Sequence, residues 1–268
     1  ILLLMAKHRK KKPPSATRFF IIFIFAASYS PNSFAETGQI SFSMNGGPYQ
    51  PAIDSEVVNG EPIFPVYDCF FSNETLSLLH LDFGYKFLDG FGNFQVGLGL
   101  GYAQARGQAQ TADILTTGKC GEASSGSVAM HLLEFRPYVA YYFDPIFLEW
   151  GIPFIPYLKG GVATFMYGWT HDGELDKGGE SQGHHATGFR PAIDSSLGLL
   201  MALDWMEPAV TRRARASGAY ENAYALFEVA YVSTAEFDLE GLVLSASDIY
   251  WESERPLMVR FGIMVEFP

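Results

Sequence analysis

The sequence predicts an all-β chain that forms an eight-stranded antiparallel transmembrane β-barrel with short periplasmic turns and long extracellular loops. Eight segments alternate apolar and polar residues over about ten positions each, the period of a strand with one face in lipid and the other turned inward. The connections between them alternate between short and long. A basic, then apolar stretch opens the chain and reads as an export leader.

The first segment, residues 39–44, turns Ile40, Phe42 and Met44 outward. The second, 76–87, sets Leu79, Leu81, Phe83, Tyr85 and Phe87 against His80, Asp82, Gly84 and Lys86. In the third, 94–103, Phe94, Val96, Leu98, Leu100 and Tyr102 oppose Gln95, Gly97, Gly99 and Gly101. The fourth, 128–143, places Leu133, Phe135, Val139, Tyr141 and Phe143 opposite Glu134, Arg136 and Tyr138. The fifth, 156–168, has the weakest pattern, with Leu158, Val162 and Met166 opposite Lys159. The sixth, 195–204, carries Leu197, Leu199, Met201 and Leu203 outward and Asp204 inward. The seventh, 224–233, has Phe227, Val229 and Tyr231 outward and Glu228 inward. The eighth, 257–267, splits Leu257, Val259, Phe261, Ile263, Val265 and Phe267 from Met258, Arg260, Gly262, Met264 and Glu266.

The links after segments one, three, five and seven run to about twenty residues or more, and the others are short or moderate. This places both chain ends in the periplasm. Aromatic residues near the segment ends are expected to form two interfacial girdles. Tyr85, Phe87, Tyr141, Phe143, Trp205 and Phe267 belong to the lower one, and Tyr102, Tyr167, Trp169, Tyr231 and Trp251 to the upper.

Residues 1–35 read as a cleaved signal peptide and 36–268 as the barrel domain. Translation from Met5 gives a basic region of Lys7, Arg9, Lys10, Lys11, Lys12 and Arg18, the apolar run 19–27, and small residues at Ser33 and Ala35. The apolar run is shorter than the roughly 20 residues a spanning helix needs. Removing those six bases leaves 12 Lys+Arg against 29 Asp+Glu, a formal charge of −17. Such a surface repels nucleic acid and attracts the divalent cations that bridge lipopolysaccharide phosphates. The partners expected are therefore outer-membrane lipid and lipopolysaccharide, bridged by divalent cations. The terminal pattern of Arg260, Gly262, Val265 and Phe267 resembles the signal read by the outer-membrane assembly machinery, from which Pro268 departs by following the aromatic residue.

An eight-stranded barrel has room inside only for side chains. The inward acids Asp82, Glu134, Asp204, Glu228 and Glu266 nearly balance the bases Lys86, Arg136, Lys159 and Arg260, so they are read as a structural ion network. A proton or ion path is the alternative. Segments seven and eight form a hairpin that sets Glu228 and Arg260 at similar heights, and a contact between them is expected. Cys69 and Cys120 fall in neighbouring outer loops of an exported chain and are expected to form one disulfide.

Other motifs carry less. Gly97-Leu98-Gly99-Leu100-Gly101 lies on a continuous strand, whereas a dinucleotide fingerprint needs a turn opening a helix. His171, His184 and His185, with Asp172, Glu174, Asp176 and Glu180, allow a loop metal site. Ser127 and His131 are the candidates for an enzyme acting on lipid. The fourth outer loop is acidic through Glu236, Asp238, Glu240, Asp248, Glu252 and Glu254, with Arg255 its one base. Arg212, Arg213 and Arg215 mark the third periplasmic turn. Pro-Ala-Ile-Asp-Ser occurs at 51–55 and again at 191–195.

The chain resembles a family of small, functionally uncharacterised outer-membrane β-barrels known from myxobacteria and related gram-negative bacteria. The resemblance is carried by Gly47-Pro48-Tyr49-Gln50-Pro51-Ala52-Ile53-Asp54-Ser55-Glu56, by Gly90-Phe91-Gly92-Asn93-Phe94 with Gly99-Leu100-Gly101-Tyr102, by Pro153-Phe154-Ile155-Pro156-Tyr157-Leu158-Lys159-Gly160-Gly161, and by Leu203-Asp204-Trp205. It implies an outer-membrane barrel and no assigned activity. The expected function is that of a structural or surface-interaction protein, with no enzyme activity, no cofactor and no metal. A lipid-modifying enzyme of the lipid A deacylase type is the alternative, followed by a soluble ligand-binding barrel of lipocalin type.

Overall fold

A computed structural model describes residues 39–53, 57–58, 61–62, 66–72, 74–88, 92–111, 120, 122–172, 174–175, 187–203, 206, 208–234, 244–245 and 257–268. Eight long strands form the wall: β1 (Gln39–Tyr49), β2 (Leu76–Leu88), β3 (Asn93–Thr111), β4 (Glu122–Tyr142), β5 (Phe154–His171), β6 (Thr187–Ala202), β7 (Asn222–Ser233) and β8 (Leu257–Phe267). Each pairs antiparallel with its sequence neighbour, and β1 pairs with β8 from Ile40–Phe267 to Gly46–Phe261. That last ladder closes the sheet, which leaves no open edge for hydrocarbon to face.

The outward face follows the alternation in the sequence. Leu98 is 49% exposed and Phe261 57%, and Ile40, Phe83, Leu133, Phe135, Val162 and Ile263 are similarly bare. An unbroken apolar belt of this kind is stable in lipid and a liability in water, so the wall is a membrane-spanning one. Val259 departs from the rule at 8% exposure. The β8 backbone comes down against Gly47 here, where an added Cβ would lie 1.8 Å from the Val259 carbonyl oxygen, so only glycine fits.

Several strand boundaries differ from the sequence reading, with β1 running on to Tyr49 and β5 spanning Phe154–His171. β3 runs 19 residues and β4 21, so the link between them shrinks to residues 112–121. About eleven residues cross a bilayer, and the remainder of this hairpin stands beyond the belt. Its outward residues there include Gln104, Arg106 and Gln108 on β3 and Ser127, Ala129 and His131 on β4, which carry no large lipid-facing side chains although the ladder continues. β6 begins at Thr187, upstream of the expected start.

Tyr167 and Trp169 do not join the upper girdle. They share the inward side of β5 with Phe165 and pack against the interior cluster, Trp169 meeting Phe71 at 5.4 Å between ring centroids. With Met166 outward, the strand period sends its neighbours inward. Trp205 and Trp251 lie outside the described residues, as does the leader at 1–35.

Among the described residues, three short helices sit in the links: α1 (Val66–Phe71) between β1 and β2, α2 (Pro145–Leu148) between β4 and β5, and α3 (Pro208–Ala216) between β6 and β7. Gly151 (φ 67°) and Gly218 (φ 69°) follow α2 and α3 and take the left-handed conformation that lets a helix end in a tight turn.

Candidate functional site: the filled barrel interior and its two rims

The inward side chains form three layers. Toward the long-loop end, Leu76, Leu78, Met130, Leu132, Phe165, Val232 and Met258 are buried together with a set of alanines, Ala103, Ala105, Ala163, Ala192 and Ala230. The small alanines leave room for bulk supplied from the loops. Tyr67 and Phe71 of α1 fill it from above, and the Tyr49 hydroxyl donates to the Leu244 carbonyl at 2.5 Å. Cys69 of α1 is bonded to Cys120, with Cα atoms 5.3 Å apart, which fastens this plug to the adjacent hairpin.

The middle layer is ionic. Asp82 accepts from Arg136 Nη2 at 2.9 Å, Lys159 Nζ at 3.2 Å and Asn45 Nδ2 at 3.1 Å. Asp194 accepts from Arg136 Nη1 at 2.7 Å and Arg260 Nη2 at 2.5 Å. Glu228 meets Lys159 Nζ at 2.5 Å and the Tyr157 hydroxyl at 2.7 Å, and lies 3.6 Å from Arg260 Nη1. Glu228 and Arg260 are also direct cross-strand partners. Glu134 pairs with His80 Nε2 at 2.7 Å and lies 3.7 Å from Arg136 Nε.

Arg136 thus touches three carboxylates from three other strand positions, and its flat guanidinium, with five donors in a fixed fork, suits that duty better than a lysine would. Glycines make it possible. A Cβ on Gly99 would stand 2.5 Å from Asp82 Oδ1 and 3.1 Å from Arg136 Nε, so the smooth inner face of β3 is what lets the network lie across it.

Below the network, Tyr138, Tyr142, Tyr157, Tyr224, Leu200 and Met264 form a tyrosine-rich floor. Lys86 is ion-paired to Glu266 and sits 4.8 Å from the Tyr142 ring centre. Glu266 also accepts from Asn222 Nδ2 at 2.8 Å and from the Tyr224 hydroxyl at 3.0 Å. Charged groups buried this deeply are tolerated because nearly every one is paired and hydrogen-bonded.

Of the interior residues picked from sequence, Asp82, Lys86, Glu134, Arg136, Lys159, Glu228, Arg260 and Glu266 are all inward and buried. Asp204 lies outside the described residues. Asp194, the hub between the two arginines, was missed because the sixth strand was started at Ser195. Counting back from Leu197 in steps of two would have turned Ile193 out and Asp194 in. His80 was placed inward but not joined to the network, and buried Arg190 fell in what was read as loop. The pentapeptide at 191–195 supplies Asp194, while Asp54 of the copy at 51–55 lies outside the described residues.

The terminal pattern keeps its strand geometry: Val265 and Phe267 face outward and Arg260 inward, and a Cβ on Gly262 would stand 2.1 Å from the Met44 carbonyl oxygen. On the outer wall, His131 Nδ1 bonds the Tyr102 hydroxyl at 3.0 Å and its Nε2 lies 3.5 Å from Gln104 Nε2. Ser127 is engaged with Asp172 instead, its N–H donating to Oδ1 at 2.7 Å and its hydroxyl at 3.3 Å. No serine and acid flank His131 among the described residues, so the order of groups that nucleophilic hydrolysis requires is not assembled there. The Ser127 N–H holds the Asp172 carboxyl below the usual carboxylate range. His171 lies 3.5 Å from Asp172; His184, His185, Asp176 and Glu180 are outside the described residues, as is the acidic stretch 236–240 and 248–255.

In comparison with solved structures, the chain is similar to the N-terminal β-barrel domain of Pseudomonas aeruginosa OprF, at 13% identity and a TM-score of 0.39, covering 86% of this chain and 100% of that one. It is similar to Neisserial surface protein A (NspA) at 9% identity and a TM-score of 0.39, covering 86% and 96%. The translocator domain of the autotransporter NalP from Neisseria meningitidis matches at 8% identity and a TM-score of 0.33, covering 94% and 96%. No protein-family model matches the chain, and no curated protein matches its sequence.

Proposed function

We propose that the chain is a small outer-membrane β-barrel protein with a filled, non-porin interior, acting as a structural or surface-interaction protein through its acidic outer loops. The observation that supports this most directly is the stack of three layers across the lumen. Water or solute crossing it would have to break the Arg136–Asp82–Asp194 pairs and lift the Tyr67 and Phe71 plug. Whatever the protein binds is therefore met at its rims.

The stretch at residues 1–35 that reads as an export leader and the terminal pattern that resembles an assembly signal support a location in the outer membrane of a gram-negative cell, with the long links outside. The excess of acids over bases favours lipopolysaccharide bridged by divalent cations as the partner of the outer loops. In planar bilayers the purified barrel is expected to give no conductance steps, and it should retain lipopolysaccharide in magnesium and release it in chelator. Replacing residues 236–254 with a short neutral linker should abolish the magnesium-dependent part. Stepwise conductance from the intact barrel would overturn the filled-interior reading, and chelator-insensitive binding would overturn the cation bridge.

A further inference from the structure

The short-turn rim is not a plain solvated surface. Leu148 at the end of α2 is 70% exposed, Trp150 66% and Met206 61%, with Ile152 and Phe154 also bare. These residues belong to two turns that the barrel brings side by side: Phe154 is the cross-strand partner of Met201, and the Ala202 N–H donates to the Pro153 carbonyl at 2.9 Å. Met206 follows four residues after Ala202, its N–H bonded to the Leu203 carbonyl at 3.0 Å. Phe154 and Leu199, exposed at the end of the lipid-facing belt, lie on the strands that lead into these two turns.

The turn that carries Met206 continues into α3, where Arg212 and Arg213 are exposed. Arg215 anchors this helix to the rim, Nε donating to the Glu221 carbonyl at 2.5 Å and Nη2 to Asn222 Oδ1 at 2.6 Å. In a chain with far more acids than bases, a helix with three arginines in four residues, at the same rim as a bare tryptophan, is a local reversal of charge. Aromatic and aliphatic side chains at a membrane edge enter the acyl boundary, and arginine just beyond them meets phosphate.

We propose that this rim is a docking site for anionic phospholipid headgroups, with Leu148, Trp150, Ile152 and Met206 seated at the acyl boundary and Arg212 and Arg213 holding the phosphates. Acidic cell-wall polymer is the other anion within reach of a periplasmic rim. The apolar residues decide between them, because a soluble polyanion gives Trp150 and Leu148 nothing to bury against. The inference rests on the reading of the wall as membrane-spanning.

The test uses the full barrel in vesicles of phosphatidylcholine carrying equal mole fractions of either brominated phosphatidylcholine or brominated phosphatidylglycerol. Trp150 emission is isolated by difference from Trp150→Phe, and folding is verified by the gel-mobility shift that boiling removes from an intact barrel. Trp150 is expected to be quenched in both vesicles and more strongly by the brominated anionic lipid. One base near an anionic surface corresponds to about fivefold local enrichment. The double variant Arg212→Gln, Arg213→Gln should lose that excess while keeping the quenching common to both lipids.

Equal quenching by the two lipids, or an excess that survives the double variant, overturns the headgroup site. An unquenched Trp150 overturns the rim as a membrane surface. Retention on purified peptidoglycan that depends on the arginines, without lipid selectivity, overturns it in favour of the polymer. A chain that fails to insert at all fails the barrel reading instead, and the mobility shift separates that result from the rest.

Discussion

Asp194 joins two buried arginines of the interior, Arg136 and Arg260. Among the described residues it alone bridges them, so removing it leaves two guanidiniums facing each other in a water-poor layer. Asp194→Leu is expected to lower the unfolding free energy by about 3–5 kcal/mol, measured by urea titration of the vesicle-inserted barrel, because it strands buried charge. Arg260→Met strands less, since Asp194 keeps Arg136 and Glu228 keeps Lys159 and Tyr157. A double-mutant cycle of Glu228→Gln with Arg260→Met should be non-additive, and additive effects would mean that the 3.6 Å approach contributes nothing. The sequence displayed the charges of this layer because strand alternation has a strict period of two. It hid Asp194 and Arg190 because they precede the apolar run of β6, where the pattern that reveals a strand had not yet begun.

At the scale of elements, the lipid belt was legible and the parts of the wall above it were not. Periodicity is written by the contrast between lipid and lumen, and above the membrane the outward side of β3 and β4 loses its large apolar residues while the inward side of β3 carries small alanines and the ladder continues to Thr111–Glu122. Two substitutions on one face of β3 locate the boundary. Leu98→Arg should cost about 2–4 kcal/mol near the bilayer midplane, and Gln108→Arg, exposed beyond the belt, should change urea stability little. The helix α1 was read as loop, because six residues do not show a helical period. Its Cys69–Cys120 bond closes a separation of 51 residues, and on chain-entropy grounds its loss costs up to about 4 kcal/mol. Cys69→Ser should therefore loosen the plug first, seen as faster amide exchange at Tyr67 and Phe71 while the wall strands stay protected.

The β4–β5 pair adds a pH-dependent contact at its open end, away from the turn that joins the two strands. With the Asp172 carboxyl held below the usual range by the Ser127 N–H, the contact is present above the unfolded value, about 3.9, and is lost as pH falls through the lower folded value. The Ser127 amide shift should report that loss on acidification, and a pH-independent shift would remove the carboxylate from the contact.

At the scale of the whole molecule, the two ends of the barrel differ in chemistry as well as in loop length. The long-loop end is closed by an apolar, disulfide-fastened plug, and the short-turn end by tyrosines above a basic helix and a bare tryptophan. That asymmetry suits a protein inserted in one direction, and the links predict which. Protease added to intact cells should cut within residues 172–182 or 236–254, which belong to the long connections, and should spare Arg212, Arg213 and Arg215, although trypsin favours arginine and these three are exposed. Permeabilising the outer membrane should then expose the arginine helix to the same enzyme while leaving the wall strands uncut, because their backbone groups are paired on both sides. Cleavage at the arginines in sealed cells would reverse the orientation. The lipopolysaccharide reading of the outer loops would fail with it, whereas the anionic-lipid rim, tested in vesicles of uniform composition, would stand.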